Sequence, residues 1–327
     1  MKNKVSRRKF IIGSSLAPIL ANKVFAQDNF LPAMEEEPEE LLEEQEYLTV
    51  DTSAKDMPLG KIGDVEISRL IAGGNLISGI SHSRDLIYVS DLMKSYFTEQ
   101  KILDSLKTYE QNGINTAILR LDDKTLKIIH RYWKEYNGKI QWIAQIKPKK
   151  SDFTNFCKDV DIAIDNGAVG VYIQGQAGDS FVQKGDTKLM DKIISYARDK
   201  GIIGGIGAHS IEVIVACEKE NIVPDFYMKT FHPLNYWSAK AGEFHDNKWD
   251  LDPEKTKNVM KTVKVPWIAF KVLAAGAIHP KKGFDYAFSN GADFLCVGMF
   301  DFQVKEDANI AIKMFNRNKD RARKWYG

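Results

Sequence analysis

From Pro58 onward, short apolar runs alternate with longer stretches in which apolar residues recur three and four positions apart. The short runs are SRLIAGG (from Ser68), NTAILRL (from Asn115), IQWIAQIK (to Lys147), GVYIQ (to Gln174), GGIGAH (to His209), DFYMKT (to Thr230), PWIAFK (to Lys271) and DFLCVGM (to Met299). Apolar runs of this length predict buried strands. The longer stretches are EQKILDSLKTYEQNG, DKTLKIIHRYWKEYNG, DFTNFCKDVDIAIDNG, KLMDKIISYARDKG, IEVIVACEKEN, DPEKTKNVMKTV, PKKGFDYAFSNG and KEDANIAIKMFNRNKDRARKW. They predict helices, and several end in the Asn-Gly or Lys-Gly punctuation of a C-cap. Eight strand–helix units in one chain predict an α/β protein, a (β/α)₈ barrel of the TIM type. An open doubly wound sheet is set aside, because no strand leads into a Gly-x-Gly-x-x-Gly turn opening a helix.

Each predicted strand is apolar along its length and polar where it ends. The exits read Asn75, Asp122, Lys147, Gln174, His209, Lys229 with His232, Lys271 and Asp301. In such a barrel the C-terminal ends of the strands open into the active-site mouth. Lys271 is an ammonium inside the apolar stretch PWIAFKVLAAGAIHP, and burying it alone would cost several kcal/mol, as for any unpaired ion. It is therefore expected at the mouth, in a ring with the other exits. Lys147, His209, Lys229, His232 and Lys271 are the candidate acid–base groups, and Lys229 is also a candidate for a Schiff base with a ketone.

Two loops add candidate binding groups. NLISGISHSRDLIYVSDLMKSYF (Asn75 to Phe97) is long enough to carry function, and brings Asn75, His82, Arg84, Asp85 and Tyr88 over the mouth. A local ion pair between Arg84 and Asp85 is the equal alternative. YMKTFHPLNYW adds Asn235, Tyr236 and Trp237 at the sixth exit, and Gln174 stands at the fourth. Aromatic rings interleaved with amides suit a sugar, whose apolar face stacks on indole. A metal held by His209 and His232 with Asp85 or Glu243 has no ligand spacing behind it. His130 reads as a helix residue, and His245 and His279 as loop residues.

Composition changes the picture at the amino end. SRRKFIIGSSLAPILANKVFA has paired arginines (Arg7, Arg8), a modest apolar run and a small-residue site at Val24-Phe25-Ala26. That order of parts is the twin-arginine export signal, and its apolar run is too short for a membrane span. Residues 1–26 are thus expected to be a signal peptide read by the twin-arginine translocation machinery, with the mature chain periplasmic or extracellular. They hold six of the 46 basic residues and none of the 44 acidic ones, which leaves 40 against 44 and a net charge of −4. No basic stripe suggests nucleic acid, and no membrane span is expected after the signal. Residues 27–57 include EEEPEELLEEQE and read as an acidic flexible linker. Residues 58–327, roughly 270 of them, fit one large domain by the length prior. Cys157, Cys217 and Cys296 have neither metal spacing nor a pairing pattern, and read as small buried side chains.

The same residues resemble the aldo/keto reductase superfamily over nearly the whole of 58–327. LGKIGDVEISRLIAGGN resembles that family's opening hairpin and first barrel strand. NGINTAILRL is similar to its second strand, KGIIGGIGAHS to its fifth and VPWIAFKVLAAGAI to its seventh, and GADFLCVGMFDFQVKEDANIAI to its last strand and helix. The resemblance implies NADP(H), with Gly298, Gln303, Glu306 and Asp307 at the cofactor end and Asp in place of the family's Asn. It also implies an Asp–Tyr–Lys–His catalytic set. Those positions fall on Ile118, Asp123, Lys147 and Gln174, so only the lysine is kept. Carbonyl reduction needs a proton donor beside the hydride acceptor. The expectation is accordingly an exported enzyme acting on a carbohydrate or other polyhydroxy carbonyl compound by acid–base chemistry of lyase, isomerase or hydrolase type. An NADP-dependent reductase with a substitute donor such as Tyr88, and a barrel that binds without turnover, are the alternatives, and fold alone does not choose among them.

Overall fold

A computed structural model describes residues 56–80, 86, 88–148, 150–236, 239 and 249–327. The expected signal peptide, most of the acidic segment, His82, Arg84, Asp85, Trp237, Glu243 and His245 lie outside the described residues. The chain enters through an antiparallel hairpin, β1 (Leu59–Ile62) and β2 (Val65–Ser68). Eight parallel strands follow: β3 (Leu70–Gly73), β4 (Thr116–Arg120), β5 (Gln141–Ile146), β6 (Gly170–Ile173), β7 (Ile203–Ala208), β8 (Phe226–Thr230), β9 (Trp267–Phe270) and β10 (Phe294–Val297). They pair in sequence order, and β10 closes the barrel against β3. All eight match the apolar runs of the sequence to within about two residues, the ordinary scatter of element ends.

The described helices are α1 (Val89–Tyr96), α2 (Glu99–Gln111), α3 (Asp123–Tyr136), α4 (Phe153–Asp165), α5 (Gly175–Gln183), α6 (Thr187–Asp199), α7 (Glu212–Lys219), α8 (Pro253–Met260), α9 (Pro280–Ser289) and α10 (Val304–Arg317). Acidic side chains start several of them. Asp122, Asp152 and Asp252 accept from the backbone N–H three residues on, which satisfies a donor that the helix itself leaves unpaired. At the other end, Gly167 (φ 74°) and Gly201 (φ 84°) take the left-handed conformation that stops a helix.

Side-chain alternation divides the core in two. Ile71, Ile118, Ile143, Tyr172, Ile203, Phe226, Met228, Ile268, Phe294 and Cys296 point into the barrel. The intervening Ala117, Leu119, Ala144, Ile146, Tyr227 and Ala269 face the helix layer. Ile62 and Ile67 of the hairpin join the inner set and fill the end of the barrel from which the strands start. At the same end Asp293 is fully buried between Arg321 (2.6 Å) and Arg323 (2.8 Å). It also accepts the backbone N–H groups of Trp267 and Tyr326. The carboxylate thus has charge and hydrogen bonds matched to its burial, the condition for keeping an ion out of water. No described helix is long and apolar enough to cross a membrane.

Candidate active site

At the exits of the strands lies a cavity of about 330 Å³. Inward-facing positions of β4, β5 and β6 supply its polar wall. Arg120 pairs in register with Gln145, and Gln145 with Tyr172, so the three stand in a row on adjacent strands. Gln145 Nε2 donates to Tyr172 Oη over 2.5 Å. Burial raises the pKa of the Tyr172 phenol, so it holds its proton and can donate a hydrogen bond. Ile118, Met228, Phe270 and Cys296 make the apolar floor, and burial pushes the Cys296 thiol up to about 12. Trp249, from the segment between β8 and α8, closes one side.

Lys271 reaches this cavity by a break in the alternation. Ile268 and Phe270 face inward and Ala269 outward, so a regular strand would send Lys271 into the helix layer. Its backbone instead takes φ 60°, and Ala274, Ala275 and Gly276 follow at 45°, 57° and 88°. A left-handed non-glycine residue costs about 1–3 kcal/mol, and such strain gathers at functional sites. The consequence is that Lys271 lines the mouth together with Asn75, Gly298 and Gln303.

The remaining strand-exit candidates divide. Lys147 is exposed at the rim and donates to Gln176 Oε1 over 2.7 Å. Its pKa is lowered by partial desolvation and by the nearby Arg120 cation. Lys229 obeys the alternation that Lys271 breaks. It is fully buried toward the helix layer, with Nζ 2.6 Å from Thr230 O and 3.5 Å from Asp250 Oδ1. Desolvation lowers it to about 8 against the pull of Asp250, and raises Asp250 in turn. His232 is also fully buried, its Nε2 accepting the Asp250 N–H at 3.2 Å. The expectation that Lys229 and His232 share the mouth is thereby corrected: both brace the loop behind it, and a buried Lys229 has no opening through which to meet a ketone.

His209 lines a second cavity, about 630 Å³, on the far side of Trp249. Its Nδ1 is 2.9 Å from Asp179 Oδ2, and Asp179 Oδ1 accepts the backbone N–H groups of His209 and Ser210. Gly178 lets α5 carry Asp179 this close to β7, since a Cβ there would sit 2.2 Å from Gly207 O. Gln174 lies outside the mouth cavity, with its Oε1 buried and unpartnered among the described residues. Asn235 is exposed, and Tyr236 packs against His232 and Trp249. Asp122 caps α3 through Thr125 N–H, and Asp301 pairs with Lys101 at 2.8 Å. Among the described residues no group of three His, Cys, Asp or Glu could hold a metal, and the three cysteines are free thiols.

Arg120, Gln145, Tyr172 and Trp249 are the mouth residues that reading the strand exits alone does not find. Counting in twos from Ile118, Ile143 and Gly170 finds the first three. Trp249 carries no such signal.

Sequence comparison finds no family model and no curated protein that matches the chain. Solved structures do resemble it. A Pseudomonas aeruginosa protein assigned as an aldo-keto reductase superimposes with TM-score 0.55 at 14% identity, over 79% of this chain and 95% of that one. The protein Gox0644 superimposes with TM-score 0.55 at 7% identity, over 83% and 97%. A single-residue variant of it in complex with NADPH gives TM-score 0.53 at 7% identity, over 83% and 96%. The fold is that of the aldo/keto reductases. The opening hairpin expected from LGKIGDVEISRLIAGGN is present as β1 and β2.

The NADP(H) that the sequence resemblance implies is matched only in part: Gly298 and Gln303 line the mouth, but the other expected residues do not fit. Asp307 is buried inside the first turn of α10, where burial and Glu306 raise it to about 7; it does not line the mouth cavity. Gln303 turns its Oε1 onto the Phe300 N–H, and Glu306 is half-buried. Lys147 and Tyr172, the amine and phenol that reduction would couple, bond instead to Gln176 and Gln145.

Proposed function

We propose that this chain is an exported enzyme that moves protons on a carbohydrate or other polyhydroxy carbonyl compound, without hydride transfer. The observation that carries the reading is the in-register row of Arg120, Gln145 and Tyr172 facing a cavity that Lys271 also lines. A carbonyl oxygen placed against the protonated Tyr172 phenol becomes a better electron sink. The proton on the adjacent carbon is then easier to remove, and the developing oxyanion is stabilised in a site partly closed to water. The proton goes to a rim amine, Lys147 or Lys271, in its neutral form. The proton of the hydroxyl on that carbon then passes to the former carbonyl oxygen, and return of the first proton to the former carbonyl carbon completes an isomerisation. Trp249 supplies the apolar ring face that Trp237 was expected to give.

The test is exchange. Ketoses and aldoses incubated with the protein in D₂O, with no added cofactor, should take up deuterium beside the carbonyl, followed by proton NMR. Substrate-dependent NADPH oxidation without exchange would replace this reading by that of a reductase. Neither activity, with sugars still bound, would leave a binding barrel.

Export is part of the proposal and rests on the SRRKFI and VFA signals. Replacing Arg7 and Arg8 together by lysine is expected to hold the chain in the cytoplasm, with an unprocessed amino end on fractionation. Undiminished export of the double variant would refute it.

A further inference from the structure

The two cavities that meet at Trp249 differ in charge. The outer one is lined by Asp179, Glu212, Asp250 and Asp252 against Lys255 and His209. The mouth is lined by Arg120 and Lys271, and by no carboxylate among the described residues. Arg120 is the more telling of the two cations. It leaves β4 on the inward-facing side, and its guanidinium makes no hydrogen bond to a described residue. Its ionic neighbour is Asp122, 3.7 Å from Nε, and the other oxygen of Asp122 is engaged by the Thr125 N–H. With side chains 49% and 39% exposed, such a pair is worth less than about 1 kcal/mol. The guanidinium is therefore a planar fork of donors held at the mouth with little to hold it back. That fork matches two oxygens of a carboxylate or a phosphate. From it the register runs directly to Gln145 and Tyr172. A ligand with its carbonyl on Tyr172 would set a hydroxyl at Gln145 and its terminal group at Arg120.

We propose that the mouth takes a polyhydroxy compound with an anionic end, a sugar acid or sugar phosphate, and that Arg120 binds the anion and sets this specificity. The proposal rests on the acid–base reading for the carbonyl end only; the anion site stands on the lining charges and the loosely paired guanidinium fork.

Calorimetric titration of the purified protein with gluconate, glucose 6-phosphate and glucose tests it. At least one anion should bind about tenfold more tightly than glucose at low salt, with the preference shrinking as salt is added. Which anion leads tells carboxylate from phosphate. Arg120→Met should erase the preference without lowering the melting temperature, and Arg120→Lys should retain part of it, charge without the fork. Equal affinity for glucose and both anions, no binding of either anion at millimolar concentration, or a preference that survives Arg120→Met would each overturn the proposal. Deuterium exchange on neutral ketoses with no anion preference would remove this inference and leave the proton-transfer reading standing. Anion preference without exchange would do the reverse.

Discussion

Asp293→Ala is expected to lower the stability of the folded chain by about 3–5 kcal/mol, because it leaves two buried guanidinium groups without their counter-ion. Asp293 is 0% exposed, and Arg321 and Arg323 only 1% and 4%. The same side chain also accepts the N–H that starts β9, so the loss reaches the barrel itself. Arg323 ties further carbonyls at this end, including those of Met260, Gly291 and Val265. Urea unfolding should show a midpoint well below that of the parent at similar slope. Asp293→Asn, which keeps the shape and part of the hydrogen bonding, should lose less. A loss under about 1 kcal/mol for the alanine variant, the range of a surface pair, would mean that the cluster contributes geometry and little energy.

Tyr172→Phe should reduce proton exchange about a hundredfold, the usual cost of removing one donor aimed at a developing oxyanion. The ring stays, so packing with Phe226 at 6.4 Å between centroids is kept, and the melting temperature should change little. The hydroxyl is the whole difference. Tyr88, 58% exposed and off the mouth cavity, gives the contrast: Tyr88→Phe should exchange protons like the parent. If instead Tyr88→Phe loses the activity and Tyr172→Phe keeps it, the donor is the one suspected from the sequence, and the row on β4, β5 and β6 is scaffold.

The architecture was legible because each barrel strand is an apolar run with punctuation on both sides, and burial on two faces demands that pattern. Two helices were not. In α5, GQAGDSFVQ, two glycines in nine residues hide the period, and the Gly178 contact with Gly207 O accounts for one of them. In α1, Val89, Leu92, Met93 and Tyr96 do recur three and four apart, but eight residues inside a long loop are too short a stretch to stand out as a helix. For the candidate site, polar strand exits pointed to the end of the barrel where the cavity opens, and side-chain parity then decided which of them face it. Lys229 and Lys271 read alike in sequence, each ending an apolar run. One follows the alternation into the helix layer, and the other escapes it through a left-handed turn for which lysine has no intrinsic preference. Gly276 takes the left-handed conformation without steric cost, but nothing local in VLAAGAI announces it at Ala274 and Ala275; tertiary context imposes it there.

The hairpin has a bearing on traffic as well as on stability. Ile62 and Ile67 seal the barrel where the strands begin, so among the described residues the mouth cavity has no outlet along the barrel axis. If the proposed reaction takes place there, its product would leave on the side lined by Arg120 and Trp249, the side that admits its precursor. Substrate and product would then occupy the same chamber in turn, each excluding the other for as long as it stays.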